Sequence, residues 1–287
     1  MSVFKVWRSL DPEQKRILLE KQLTVNRPVD EVLTFLRPLA ACDALADKTR
    51  TRLGCSFAVS IVATIAGLVI LANLGLGRVI SGIVLLVLIA VVVAFGYFWL
   101  WTRKIDVSNN CRQFLVPVLS VFREDIDPAK PIHLRVDLSS PTDKSKKQSE
   151  SAPYASGVYH KVIDSMYLDP WMSAEAMLVD GTKLSWQITD SILERKKTKR
   201  NARGKYKTKT KYKKKTDLEV TVGLRAKSYE VGNIEGAEVE TRGKRNVVEM
   251  ERTIRTSSLD PIDPRALIDL VAEVYRRATP AQKEAGA

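Results

Sequence analysis

Histidine occurs twice in these 287 residues and cysteine three times, too few and too scattered for the clustered ligands that hold a transition metal. There is no Gly-rich phosphate loop and no nucleophile elbow. His133 sits in an alternating apolar run and reads as a strand residue, while His160, with Asp164 four positions on, has no Cys or Ser motif beside it. Asp125, Asp127 and Asp137 lack the spacing of a carboxylate pair. No catalytic residue, cofactor or metal site is assigned on this basis; an enzyme with a site assembled from distant residues is a minor alternative. Cys42, Cys55 and Cys111 are odd in number and far apart, which fits three reduced thiols in a reducing compartment. The first forty residues carry charges throughout, so no secretory signal is expected there.

Two further stretches lack charge altogether: residues 53–77 and residues 79–102. Each exceeds the ~20 residues needed to cross a ~30 Å hydrocarbon core, and neither shows the polar stripe of a soluble helix. Gly75, Leu76, Gly77 and Arg78 separate them. One helix through both runs would be about twice as long as a bilayer is thick, so the reading is a two-helix transmembrane hairpin, with spans at about 55–74 and 79–101. Lys48, Arg50 and Arg52 precede the hairpin and Arg103, Lys104 and Arg112 follow it, against Arg78 alone in the turn. That bias places both termini in the cytosol. Tyr97, Trp99 and Trp101 stand at the depth expected of interfacial aromatics. The polar residues inside the spans are Ser60, Thr64, Asn73 and Ser81, and no ionisable group lies mid-span to argue for an ion pathway. Ala63 and Gly67 form a small-xxx-small pair. It serves packing of the hairpin's own helices or, as a less favoured alternative, an oligomeric channel or pore.

Acidic residues are missing from one more place. Between Arg195 and Lys215 stand thirteen Lys and Arg and no Asp or Glu, so this one run accounts for the whole formal charge of +13. It lies in a C-terminal region of residues 103–287, long enough for its own core. The alternation Ile132, Leu134, Val136, Leu138 predicts a strand, and residues 139–157, rich in Ser, Lys and Pro, predict a mobile loop. Residues 172–179 and 182–189 flank Asp180-Gly181, a strong hairpin signal. After a second turn at Asn201 to Gly204 the chain returns with a period of two. Lys205, Lys207, Lys209, Lys211 and Lys213 fall on one face; Tyr206, Thr208, Thr210 and Tyr212 fall on the other, in register with Leu218, Val220, Val222 and Leu224. A strand at 246–256 precedes a closing helix capped by Asp263, with Pro264 in its first turn and Leu267, Leu270, Val271 and Val274 as its buried stripe. The fold class expected is α+β: the transmembrane hairpin at 53–102, then a cytosolic antiparallel sheet with a C-terminal helix. Residues 1–52 read as a cytosolic helical segment, with starts at Asp11-Pro12 and near Asn26 and a break at Pro38.

The hairpin at 194–216 is the one candidate binding site. Arg195, Lys196, Lys197, Lys199, Arg200, Arg203, Lys205, Lys207, Lys209, Lys211, Lys213, Lys214 and Lys215 would supply charge, and Tyr206 and Tyr212 stacking surfaces. Lys outnumbers Arg, which suits diffuse attraction over bidentate recognition. Candidate partners are the bilayer itself and, for the hairpin, anionic lipid headgroups, non-specific nucleic acid or an acidic protein; homo-oligomers are a further candidate. A solvated, frayed hairpin with no partner weighs equally.

Overall fold

The computed structural model describes residues 2–73, 78–201, 203–232, 234 and 236–281. The turn expected at Gly75, Leu76 and Gly77, and the side chain of Arg78, lie outside the described residues. The chain divides into two compact units, Met1–Glu20 with Pro38–Val107, and Lys21–Arg37 with Ser108–Ala287.

The first unit is helical. Helices α1 (Val3–Ser9) and α2 (Pro12–Glu20) precede two long apolar helices, α3 (Val29–Asn73) and α4 (Arg78–Ile105). The α2 start is a capping box: Asp11 Oδ1 accepts from the Gln14 N–H at 2.7 Å, and Gln14 Oε1 accepts from the Asp11 N–H at 3.1 Å. The most apolar window of each long helix has 0% of its residues buried. Polar groups on α3 are satisfied by its own carbonyls: Ser60 donates to Phe57 O, Thr64 to Ser60 O and Asn73 to Val69 O. Gly67 packs against α4, where a Cβ would come 3.0 Å from Leu88 Cδ1, whereas Ala63 is exposed. At the other end of α4, Phe4 stacks on Trp101 with ring centroids 4.9 Å apart, and Trp7 meets the same ring edge-on at 5.6 Å. Arg103 lies over Trp99 at 5.2 Å.

The second unit is a sheet with helices on one face. Its strands are β1 (Gln22–Arg27), β2 (Ile132–Asp137), β3 (Lys147–Glu150), β4 (Tyr154–Ser156), β5 (Tyr159–Met177), β6 (Lys183–Arg200), β7 (Tyr206–Arg225), β8 (Tyr229–Val231), β9 (Ala237–Arg242), β10 (Arg245–Thr256) and β11 (Ala278–Pro280). Nine of them form one antiparallel sheet in the order β1-β2-β5-β6-β7-β10-β9, with β3 and β4 also paired to β5; β8 and β11 pair separately. Leu184, Trp186 and Ile188 of β6 and Leu218, Val220 and Val222 of β7 share the buried face. Helices α5 (Val116–Phe122) and α6 (Arg265–Arg277) cover that face: Phe122 meets Trp186 at 6.0 Å, and Leu267, Leu270, Val271 and Val274 are buried. Pro264 stands at the cap of α6, and Asp263, one residue earlier, accepts from the Arg265 N–H at 2.9 Å. A bulge between Pro170 and Met172 breaks the alternation of β5, so Trp171 and Met172, consecutive in sequence, are both buried; Trp171 packs edge-on to Phe114 at 5.5 Å. The opposite face, carrying Ser173, Glu175, Gln187 and Glu219, is open.

Four expectations differ from what is found. Residues 1–52 are not wholly helical, because β1 forms the sheet edge beside β2. Pro38 does not break its helix: α3 runs through it, and the boundary between the two units falls at Arg37-Pro38. The missing N–H at Pro38 removes one i→i−4 bond, a loss offset by burial of Leu36 and Leu39 on either side. The loop at 139–157 contains a 3-10 turn (Lys144–Lys146), β3 and β4. Finally β5 begins at Tyr159, thirteen positions before the predicted strand, and it flanks the basic hairpin.

Gly181 closes the β5–β6 turn at φ +80, and an added Cβ would run into the Arg225 guanidinium. Gly181→Ala is expected to lower stability by about 1–2 kcal/mol, the cost of a side chain in the left-handed region, read as a lower thermal midpoint of the intact chain. The neighbouring Asp180 is the tie for this end of the unit. It accepts from Thr182 N–H at 2.7 Å and Thr182 Oγ1 at 2.9 Å, and from the hydroxyls of Tyr229 and Tyr275, each at 3.0 Å. Burial works against its ionisation, but these donors outweigh it and hold the carboxyl below its ordinary value.

Candidate functional site

The basic run forms a ribbon of two paired strands, β6 and β7, with β5 beside β6 over all but its last two residues. β6 and β7 pair without a register shift from Lys183↔Gly223 to Arg200↔Tyr206. The turn at its tip is held by Asn201, whose Oδ1 accepts from the N–H groups of Arg203 at 3.0 Å and Lys205 at 2.8 Å, with Gly204 at φ +76. On one side β5 accompanies β6 as far as Lys161↔Thr198. On the other, β10 ends opposite Lys214, so residues 206–213 of β7 form an edge.

The period of two divides the ribbon's charges between faces. Arg195, Lys197, Lys199, Lys207, Lys209, Lys211 and Lys213 continue the open face; Lys196 and Arg200, with Tyr206, Thr208, Thr210 and Tyr212, continue the helix-covered face. Several candidate residues are already engaged. Arg195 makes a two-pronged ion pair with Asp164, Nε–Oδ1 2.7 Å and Nη2–Oδ2 2.6 Å. Lys196 pairs with Glu194 at 3.0 Å and Lys215 with Asp217 at 2.9 Å. Lys214 is buried against Asp190 and the Asp260 carbonyl, away from any external partner. Lys197 lies over the Tyr159 ring at 5.2 Å and Arg200 over Tyr206 at 6.0 Å. Tyr206 is exposed and its ring centroid lies 5.0 Å from that of His160, whereas the Tyr212 hydroxyl donates to Glu194 at 3.2 Å. Among the described residues, no carboxylate forms an ion pair with Lys197, Lys199, Lys207, Lys209, Lys211 or Lys213.

Directly across the ribbon, Arg195 faces Lys211, Lys197 faces Lys209 and Lys199 faces Lys207. Like charges in opposed positions destabilise a strand pair. The ribbon holds them because its base is fixed by a polar network that the sequence did not reveal. Thr216 Oγ1 donates to Asp190 Oδ1 beside Lys214, and Tyr167 and Tyr212 both donate to Glu194 at 3.2 Å. Beneath β3, Lys146 reaches Asp169 at 2.9 Å and Asp137 at 3.1 Å. Residues 190, 194, 214 and 216 lie on the apolar face of their strands, where alternation predicts hydrophobic side chains. No local motif marks them; only the continuous register places them together.

Burial pushes the Asp169 carboxyl up to about 6 against the pull of Lys146, and the charges of Asp137 and Asp190 act the same way. Asp190 is also raised by burial, despite Lys214 and Thr216. The folded chain therefore binds a proton that the unfolded chain releases, and stability from Asp169 rises as pH falls from above 6 towards 4. Asp180 acts in the opposite sense, and so does Asp164, whose bonds from Arg195 hold its carboxyl low; both contributions are lost at lower pH. Maximum stability is expected between pH of about 4 and about 6, where the two opposed contributions balance. Asp169→Asn should reduce the rise between pH 6 and 4, leaving the part due to Asp190, and unfold at a temperature equal to or above that of the parent at pH 8. The gain is up to roughly 3 kcal/mol, from a shift of about two units.

The remaining polar candidates do not converge. Asp164 is occupied by Arg195 and by the Tyr154 hydroxyl at 3.0 Å, not by His160. His133 is exposed on β2, on the open face. Among the described residues no group of three or more His, Cys, Asp or Glu is placed to hold a metal ion. No protein-family model, curated protein or solved structure matches this chain, so the site is read from its own chemistry.

Proposed function

We propose that this chain is a two-pass membrane protein whose α+β domain presents the lysine ribbon to an anionic surface. The single observation that carries the binding role is the set of opposed like-charged pairs, Lys197↔Lys209 and Lys199↔Lys207, uncompensated by any carboxylate among the described residues. An external anion relieves that repulsion, so binding is coupled to stabilising the ribbon. The membrane placement is supported by the length and apolarity of α3 and α4 and by their exposed apolar windows. The Lys and Arg flanking both helices support termini on the cytosolic side. The packing of Gly67 on Leu88 supports a hairpin held by its own helices rather than a pore. The role is one of contact, not catalysis: the free groups are lysine ammoniums, which attract anions as compact charges.

The test uses the intact chain at one copy per neutral-lipid nanodisc. It is titrated with phosphatidylserine vesicles, single- and double-stranded nucleic acid, and polyglutamate at several salt concentrations. Lys197, Lys199, Lys207, Lys209, Lys211 and Lys213 are changed to Gln in a parallel sample. Salt-sensitive binding to at least one anion, lost in the Gln chain, is expected. Absence of binding to all of them, or equal binding by the Gln chain, removes the proposal.

A further inference from the structure

The ribbon continues a face whose other end is acidic. Along the open face of β7 the side chains run Thr221, Glu219, Asp217, Lys215, Lys213, Lys211, Lys209, Lys207. Glu219 stands directly opposite Glu251 of β10, and Glu249 stands opposite Glu238 of β9. Arg242 neutralises part of this end by pairing with Glu240 at 2.7 Å and Glu249 at 3.0 Å. Glu219, Glu238 and Glu251 are exposed and, among the described residues, pair with no cation. A groove on this open face is lined by Glu175, Glu219, Gln187 and Ser185.

Between the two ends lies an apolar patch. Met166 is 41% exposed and Leu168 42% exposed, and Met166 is paired with Leu193, which is itself opposite Lys213. From Lys213 it is six residues to Lys207 and six to Glu219, about 20 Å in each direction at ~3.3 Å per residue. A two-fold axis along the line of Met166, Leu193 and Lys213 carries Lys207 of one copy onto Glu219 of another and Lys209 onto Asp217, and the reverse, at once, while Lys211 faces Lys215 and Lys213 faces its own counterpart. This is the layout of an isologous interface whose centre is apolar on β5 and β6 and cationic on β7, with complementary charge at both flanks.

We infer that the anionic surface recognised by the ribbon is the acidic end of the open sheet face of a second copy of this chain. The inference rests on the reading of the ribbon as an anion contact and gives that contact a partner. A chain cannot satisfy the pairing alone, because Lys207 and Glu219 lie on one extended strand about 40 Å apart. Sheets that pack face to face lie about 10 Å apart, within reach of Lys and Glu side chains from opposite sides. A bilayer or a nucleic acid would use the basic end alone; neither gives a role to the apolar centre or to an acidic end at the matching distance.

The experiment mixes two differently tagged full-length chains in detergent micelles, one Lys207→Cys and the other Glu219→Cys. Both also carry Cys55→Ser, because Cys55 is exposed. The crosslinker is a short bis-maleimide reagent, since sheets packed face to face stand too far apart for a direct disulfide. Mixed crosslinked dimers are expected well above those from two Glu219→Cys chains. In a second arm, Glu219→Lys should weaken dimers about tenfold or more, and adding Lys207→Glu to the same chain should restore them. No mixed crosslink, or dimers indifferent to charge reversal, overturns the inference. If that happens while the nanodisc titration shows anion binding, the ribbon remains an anion contact with another partner. If the titration also fails, both readings fall.

Discussion

Lys146→Ala is expected to destabilise the sheet unit by about 3–5 kcal/mol, because it leaves two carboxylates near one another without their shared cation. Lys146 is 7% exposed and lies 2.9 Å from Asp169, which is 1% exposed, and 3.1 Å from Asp137. The charges of Asp137 and Asp190 already oppose ionisation of Asp169. With the ammonium gone, Asp169 takes up a proton or carries an unpaired buried charge, and both outcomes cost more at pH 8 than at pH 5. The loss, measured by thermal unfolding of the intact chain, should therefore shrink as pH falls. Lys146→Met combined with Asp169→Asn removes both charges and is expected to recover most of it, since a buried pair contributes little beyond what an uncharged replacement supplies. A pH-independent loss, or no recovery in the double variant, would show that Lys146 acts through packing of its aliphatic stem.

Neutralising Lys197, Lys199, Lys207, Lys209, Lys211 and Lys213, six of the seven ribbon lysines without a carboxylate partner among the described residues, is expected to produce the largest change in binding. Each lysine near an anionic bilayer contributes up to ~1 kcal/mol. If three of the six touch headgroups, affinity falls about a hundredfold, and if all six do, by about ten-thousandfold. For double-stranded nucleic acid the readout is the salt slope, which changes by roughly 0.9 for each phosphate neutralised. Six lysines in contact would make the slope shallower by roughly five. The same variant should not lose fold stability. It removes the repulsions between Lys197 and Lys209 and between Lys199 and Lys207, and leaves Arg195–Asp164, Lys196–Glu194 and the buried Lys214 untouched. An unfolded Gln variant would mean that these lysines carry structure as well as charge.

The elements most legible in the sequence are those in which one face of a regular structure is apolar over a long stretch. The buried stripe Leu267, Leu270, Val271 and Val274 gave α6 its face, and the run from Tyr206 to Leu224 kept a period of two that fixed which lysines share a side. Asp180-Gly181 marked a turn because one residue there must adopt a positive φ. Less legible were strands with little apolar content. β3 is polar and β4 only three residues long, and β1 is six residues long and lies before the two long helices, far in sequence from its partner β2. Pro38 was misread for a different reason: proline opposes helix locally, but packing on both sides of it decides whether the helix continues.

What the sequence determined by itself is pattern: two charge-free runs of bilayer length, the confinement of the net charge to one segment, and the division of that segment into a lysine face and a tyrosine–threonine face. These follow from composition and period, which are local. Tertiary structure alone decided which charges are free. Pairing β5 with β6 brings Asp164 to Arg195, and the β6–β7 register sets Asp190 beside Lys214 and Thr216. It also leaves seven ribbon lysines, Lys205 among them, without a carboxylate partner among the described residues, and puts Glu219 and Lys207 at opposite ends of one open face. An ion pair depends on distance between residues remote in the chain, and that distance exists only once the strands have registered against each other.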